Sequence, residues 1–306
     1  MDPTPVTADL ILRRHLEQIG LAEPGTPTGD ARGSGLGRAV AACRAQAHGL
    51  TLALAAARRG VVGARPLDRP LRRDALADLC VELEASAAGT ARAAALADEV
   101  ARGAAGVEGS LALRGLVPVV TLTATTAAVA AAVEAVTSLA GDPSGSGLVA
   151  DAVALAVGGA VDGGGPDDLA LELLRAAVDE GALSAVLADA AEQMAGIDRP
   201  ALADTVHLLT DQIRVLIDAA EAFAEVDVAD VETGMRTYAL HLGHVCAAVA
   251  LVVHAAHRLD ADDDGTGVAV VDRYVARHLG DRRSPIPTPQ RRAAADTILA
   301  SVLSDV

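Results

Sequence analysis

Apolar residues in this chain recur at steps of three and four and do not alternate with polar ones over a strand's length, so the sequence reads as helices. Those positions are filled by Ala, Val and Leu. Only Phe223, Tyr238 and Tyr274 are aromatic among 306 residues. With 51% of residues apolar, the chain can bury a sizeable core, and wholesale disorder is excluded. The expected fold is all-α, with up to nine helices packed as antiparallel neighbours across short connections.

The pattern places a short helix over 10–19, a Pro/Gly/Thr-rich stretch after it, and a helix over 36–60 with Val40, Cys43, Ala47, Leu50 and Leu54 on one face. A long helix starts near Asp74, with Leu76, Leu79, Cys80, Leu83 and Ala87 as its stripe. Others are expected over 111–140, 148–157, 168–190, from Val206 to Phe223, and over 231–259, 268–279 and 290–303. Residues 115–133 carry no charge and are long enough to cross a membrane. Pro118, four threonines and a mostly Ala apolar part make this stretch a buried bundle helix instead.

Charge narrows the function classes. There is no Lys, and the net charge is −16, which repels phosphate backbones and argues against nucleic-acid binding. Few aromatics also means no base-stacking platform. Cys43, Cys80 and Cys246 are far apart and form no CxxC pair, so neither a disulfide framework nor a zinc knuckle is expected. The N-terminal MDPTPVTADLILRRHLEQ lacks an apolar signal region, and a cytoplasmic chain is expected.

Several motifs fall short of a site. The glycine clusters at 33–37 and 158–165 match neither GxGxxG nor a Walker loop. Asp260, Asp262, Asp264 and Gly265 fit the first positions of an EF-hand loop. Its twelfth position is Val271, with Asp272 one residue late, so a solvated acidic linker is expected rather than a calcium site. His241 and His244, and again His254 and His257, are spaced i, i+3, but the two pairs are about 15 Å apart along a helix and cannot share a metal. No GxSxG elbow marks a nucleophile.

Residues 55–84 resemble the helix–turn–helix of the acyl-CoA dehydrogenase C-terminal helical domain. Arg59, Gly63, Pro66, Leu67 and Leu76-Ala77-Asp78 match in order, with Val62 in place of a Phe and Arg69 where a Gln is usual. Residues 117–141 resemble the family's next helix, keeping Pro118, Glu134, Ala135, Leu139 and Gly141. Val161, Asp162 and Gly163 stand where the family has Tyr/Trp-Glu-Gly. Residues 201–280 are similar to the helical tail of the alkylation-response and methylthiopropionyl-CoA dehydrogenase branches.

The resemblance implies an oligomeric helical domain covering FAD at a subunit interface. Arg59 would lie against the flavin nucleotide, Gly141 beside the cofactor, and Asp162 at the place of the base that takes the substrate α-proton. It also implies acyl-CoA as substrate where the site is complete. The departures are specific. The family's N-terminal helical and middle β domains have no counterpart in these 306 residues. The Gly-Gly-x-Gly-Tyr turn reads Ala140-Gly141-Asp142-Pro143-Ser144, which removes a donor and adds negative charge. Asp162 is one methylene shorter than Glu, a setback of about an ångström that can cost about a hundredfold.

The expected organisation is a lead-in over 1–35, a dehydrogenase-type bundle over 36–190, a helical extension over 200–283, and a Pro-rich linker with a terminal helix over 284–306. Two readings follow. One is a degenerate acyl-CoA dehydrogenase-like protein, a homo-oligomer or a partner of a dehydrogenase chain, with FAD at the joint interface. The other is a non-catalytic helical interaction or oligomerisation module.

Overall fold

The computed structural model describes residues 35–59, 66–139, 150, 153–154, 165–261, 265–280 and 288–303. Among them the chain forms nine α-helices and no strand. These are α1 Gly35–Arg59, α2 Pro70–Ala101, α3 Gly106–Leu139, α4 Pro166–Glu180, α5 Ala182–Met194, α6 Ala203–Ala222, α7 Val228–Asp260, α8 Thr266–His278 and α9 Pro289–Leu303. The expected helices over 10–19 and 148–157 and most of the two glycine clusters lie outside the described residues.

Small residues set the spacing of the bundle. Gly35 lies against Val117, and Gly49 against Ala131, with the same sequence separation at both points, so α1 and α3 run parallel. A methyl group on Gly49 would come within 3.0 Å of the Ala131 carbonyl carbon. Gln46 donates to Ser86 Oγ and to the Ala124 carbonyl, both at 2.9 Å, and Cys43 meets Thr90, so α2 runs antiparallel between them. Gly89 reaches Ala247 and Gly243 reaches Thr123, which brings α7 onto α2 and α3. Aromatic-poor helices can approach this closely because nothing bulky separates the backbones.

α3 is the hub, touched by α1, α2, α4, α5 and α7. α3 and α7 are both long and apolar enough to cross a membrane by length and composition, and their most apolar windows are 72% and 67% buried in the fold. α8 and α9 lie on α2, and α6 packs on α5 and α7. One hydrophobic core runs from Ala39 on α1 to Val302 on α9.

Three boundaries differ from the sequence reading. α2 begins at Pro70, four residues before Asp74, because Pro at the first helical position needs no N–H partner. α3 begins at Gly106, so Pro118 is interior. Nearby hydroxyls take up helix carbonyls: Thr121 donates to Val117 at 2.7 Å and Thr123 to Val119 at 3.0 Å. The single helix expected over 168–190 is two, because Gly181 adopts φ +72° and closes α4 before α5 begins.

Candidate functional site

Of the residues that the resemblance selects, Arg59, Pro66, Leu67, Glu134, Ala135 and Leu139 lie at one end of the bundle, whereas Pro118, next to the Val117 that meets Gly35, lies at the other. α1 and α3 both finish at the first of these ends and α2 starts there. Arg59 is the last residue of α1. The Pro66–Asp68 turn leads into α2, with Leu67 packed on the core. Arg72 at the start of α2 is ion-paired with Glu134 near the end of α3. Gly141 and Asp162 lie outside the described residues.

Whether this end suits FAD is a question of sign. Two helix C-termini and one N-terminus meet here, so the backbone dipoles sum to the polarity that a pyrophosphate avoids. Pro70 removes one donor from the single N-terminus. Of the local guanidinium groups, Arg72 is committed to Glu134 and Arg73 to Asp296 at 2.7 Å, while Arg58 and Arg69 are exposed. The described residues therefore contribute charge to an anion but form no cradle by themselves.

The densest polar constellation lies on the opposite flank of α2. Asp74, Asp78 and Glu82 are spaced i, i+4, i+8 and form one ladder. Arg273 donates to Asp78 Oδ1 and Asp74 Oδ1, both at 2.8 Å, with its side chain only 7% exposed. Arg277 pairs with Asp78 and, at 2.9 Å, with Glu82. His278 Nε2 meets Glu82 at 2.6 Å, and Arg291 of α9 pairs with Asp74 at 2.7 Å. Burial pushes the Asp74 carboxyl up, but Arg291 and Arg273 outweigh it and hold it below its ordinary value. Asp78, matched by sequence to the family's Leu-Ala-Asp, is thus a clasp for the C-terminal helices.

Behind the ladder, His244 stacks on His278 at 4.0 Å and hydrogen-bonds Tyr274 at 2.9 Å. Burial, then the neighbouring His278, His241 and Arg277, drives His244 down to about 3. Burial, with Arg258 and His257, takes His254 to about 4. These rings are neutral packing groups at physiological pH. Sequence reasoning missed the ladder; its signal was the four-residue period of acids on α2, matched by Arg273, Arg277 and His278 on α8.

The remaining motifs are engaged elsewhere. Asp260 accepts from Arg199 at 3.0 Å, and Asp272 on α8 accepts from Thr205 at 3.3 Å, so the two ends of the EF-hand-like stretch face different partners. Asp262 and Asp264 lie outside the described residues. Among the described residues no three His, Cys, Asp or Glu side chains are grouped to hold a metal ion. A polar cleft of about 650 Å³ between α2, α3 and α5 has its guanidinium paired already, Arg92 with Asp189 and, at 3.5 Å, Glu99. The three thiols are buried, and burial raises Cys43 to about 11 and Cys80 and Cys246 to about 12, which leaves them unreactive.

No family model matches the sequence, and neither does any curated protein. Solved structures do match. The fold is similar to that of Caenorhabditis elegans ACDH-11, crystallised in complex with C11-CoA, with a TM-score of 0.67 and 18% identity. The match covers 89% of this chain and 46% of ACDH-11. Bd2924, solved in its apo form, matches with a TM-score of 0.57 and 20% identity over 71% of this chain and 41% of Bd2924. The chain thus spans less than half the length of each. At such identities the likeness is one of fold: an all-α bundle of the acyl-CoA dehydrogenase type.

Proposed function

We propose that this chain is a helical subunit of an acyl-CoA dehydrogenase-type assembly, incomplete alone and completed by a second chain that supplies the rest of the flavin and acyl-CoA site. The observation that carries this reading is the likeness of fold: 89% of the chain follows ACDH-11, a protein crystallised with C11-CoA, at a TM-score of 0.67. Two features support partner dependence. The described end near Arg59 offers arginines without a phosphate cradle, and the two buried glutamates, Glu82 and Glu84, both face arginines instead of a cleft. In this reading Arg59 contacts the flavin phosphates, Gly141 lies beside the cofactor, and Asp162 is a vestigial base. FAD, when bound across the joint interface, would supply hydride acceptance. The reading has the chain working in the cytoplasm, supported by three thiols kept out of disulfides.

The same buried ion pairs favour a second reading, a non-catalytic helical interaction module, because neither buried glutamate is available as a base. Absorbance spectra and solution mass separate the two, recorded on the protein alone and then mixed with FAD and a co-encoded dehydrogenase chain. The expected result is a colourless protein that acquires flavin only in the mixed complex, with Arg59→Ala weakening retention. Flavin binding and acyl-CoA turnover by the isolated chain would overturn partner dependence. A mixed complex that ignores FAD would leave the interaction module.

A further inference from the structure

The surface where α6 turns into α7 combines a run of acidic residues with exposed apolar side chains. Between Arg214 and Arg236 the sequence holds Asp218, Glu221, Glu225, Asp227, Asp230 and Glu232 and no basic residue. All six acids are exposed. The bracketing cations point elsewhere, Arg214 to Asp211 at 3.2 Å and Arg236 to Asp167 at 3.4 Å. Asp227 caps α7 through the Ala229 N–H at 2.9 Å, which leaves one of its oxygens outward.

An apolar groove of about 580 Å³ opens within this acidic field, between α4, α5, α6 and the start of α7. Leu174, Leu187, Ile217, Phe223, Val228 and Val231 line it, with Glu221 on its rim. Phe223 packs edge-on against Tyr238, with ring centres 5.0 Å apart, which fixes the groove's floor. The groove is not closed over: Ile217 and Val228 of its lining are 39% and 70% exposed, and Val226 in the connection between α6 and α7 is 44% exposed. Three large aliphatic side chains held in water beside six carboxylates are costly unless something covers them.

We propose that this groove is a docking site for a basic amphipathic helix of a partner protein. Apolar side chains at i, i+3, i+4 and i+7 of the partner fill the groove, and its flanking Arg or Lys residues meet the acidic rim. Charge decides among occupants. A second copy bound two-fold would set six acids against six acids, and an anionic lipid or fatty-acid carboxylate would meet the same field. This inference goes beyond the dehydrogenase reading and stands without flavin.

The test is a selection from a displayed library of helical peptides against the full chain, with counter-selection on an Ile217→Asp/Val228→Asp variant. Both positions are at the surface, so the variant should keep the wild-type circular-dichroism melt. If its melt shifts, Glu221→Gln/Glu225→Gln/Asp230→Asn replaces it, with loss of affinity and of salt dependence as the readout. Enriched peptides should carry the i, i+3, i+4, i+7 apolar period with an excess of Arg and Lys. They should bind the variant at least about tenfold more weakly and lose affinity several-fold between about 0.1 and 0.5 M NaCl. Enrichment of neutral or acidic peptides, equal binding to the variant, or no enrichment would overturn the proposal. So would a concentration-dependent dimer that the variant abolishes, which would assign the groove to a second copy.

Discussion

The two long seams of this molecule are built from opposite materials. Where α1 meets α3, glycines and alanines bring two backbones together, and the polar groups, Gln46 and Thr121 among them, are uncharged. Where α2 meets α8 and α9, three arginines and His278 interlock with three carboxylates. The first seam is held by shape, which neither salt nor pH reaches. The second is held by charge and is driest at Arg273, whose side chain is 7% exposed between Asp74 and Asp78.

The largest effect should come from breaking the charged seam at its most buried point. Arg273→Ala strips Asp74 and Asp78 of their inner partner and should cost about 3–5 kcal/mol, read as a lowered urea midpoint. Arg273→Met, which keeps the side-chain volume, should cost nearly as much, because the two carboxylates remain. A Met variant as stable as wild type would mean that the seam is packing and not charge. The close packing of α7 on α3, neutral like that of α1 on α3, gives the counterpart. A side chain on Gly243 would put a Cβ 2.5 Å from Thr123 Cγ2 and 3.0 Å from the Val119 carbonyl oxygen. Gly243→Val should therefore cost about 3 kcal/mol, near the top of the usual overpacking range. That loss should be the same in 0.1 and 1 M NaCl. A salt-dependent loss would show that the two seams are coupled.

How much of this was visible in the sequence differs between the seams for the same physical reason. Shape packing is local: the three- and four-residue period gave the core stripes of α1 and α2, and the uncharged run over 115–133 marked α3 as a buried helix. Charge pairing here is distant. Asp78 and Arg273 are 195 residues apart, and only folding shows that the acids on α2 face α8 and not solvent. The break at Gly181 was hidden because alanine and leucine continue the helical pattern through it, and only the glycine's positive φ ends the helix. The residues taken from the family resemblance were legible as a motif. Arg59 falls at the shared end of α1, α2 and α3, but Gly141 and Asp162 lie outside the described residues, so the motif could be followed only part-way.

The smallest effect is also the one that best separates the seams, because it depends on pH alone. His244, behind the ladder, is held down to about 3 by burial first and then by His278, His241 and Arg277 beside it, against about 6.5 when unfolded. Above pH 6.5 the ring is neutral in both states and contributes nothing to pH dependence. Below it, the unfolded chain takes up a proton that the native protein excludes, so stability falls as the pH drops towards 3. At pH 5 this loss is about 2 kcal/mol for His244. His254, lowered to about 4, adds a smaller loss of the same sign because it is more exposed. Asp74 acts in a different window. Its carboxyl is held below the ordinary value, so its contribution is complete above pH about 4 and is lost only as the pH falls further. Urea midpoints at pH 7.5, 6 and 5 should fall steadily for the wild type. His244→Asn should start lower at pH 7.5, from the lost ring packing, yet lose about 2 kcal/mol less on the way to pH 5. Equal acid losses in the two proteins would mean that His244 is not the group that senses the pH, and would leave the charged seam to account for the whole of the acid response.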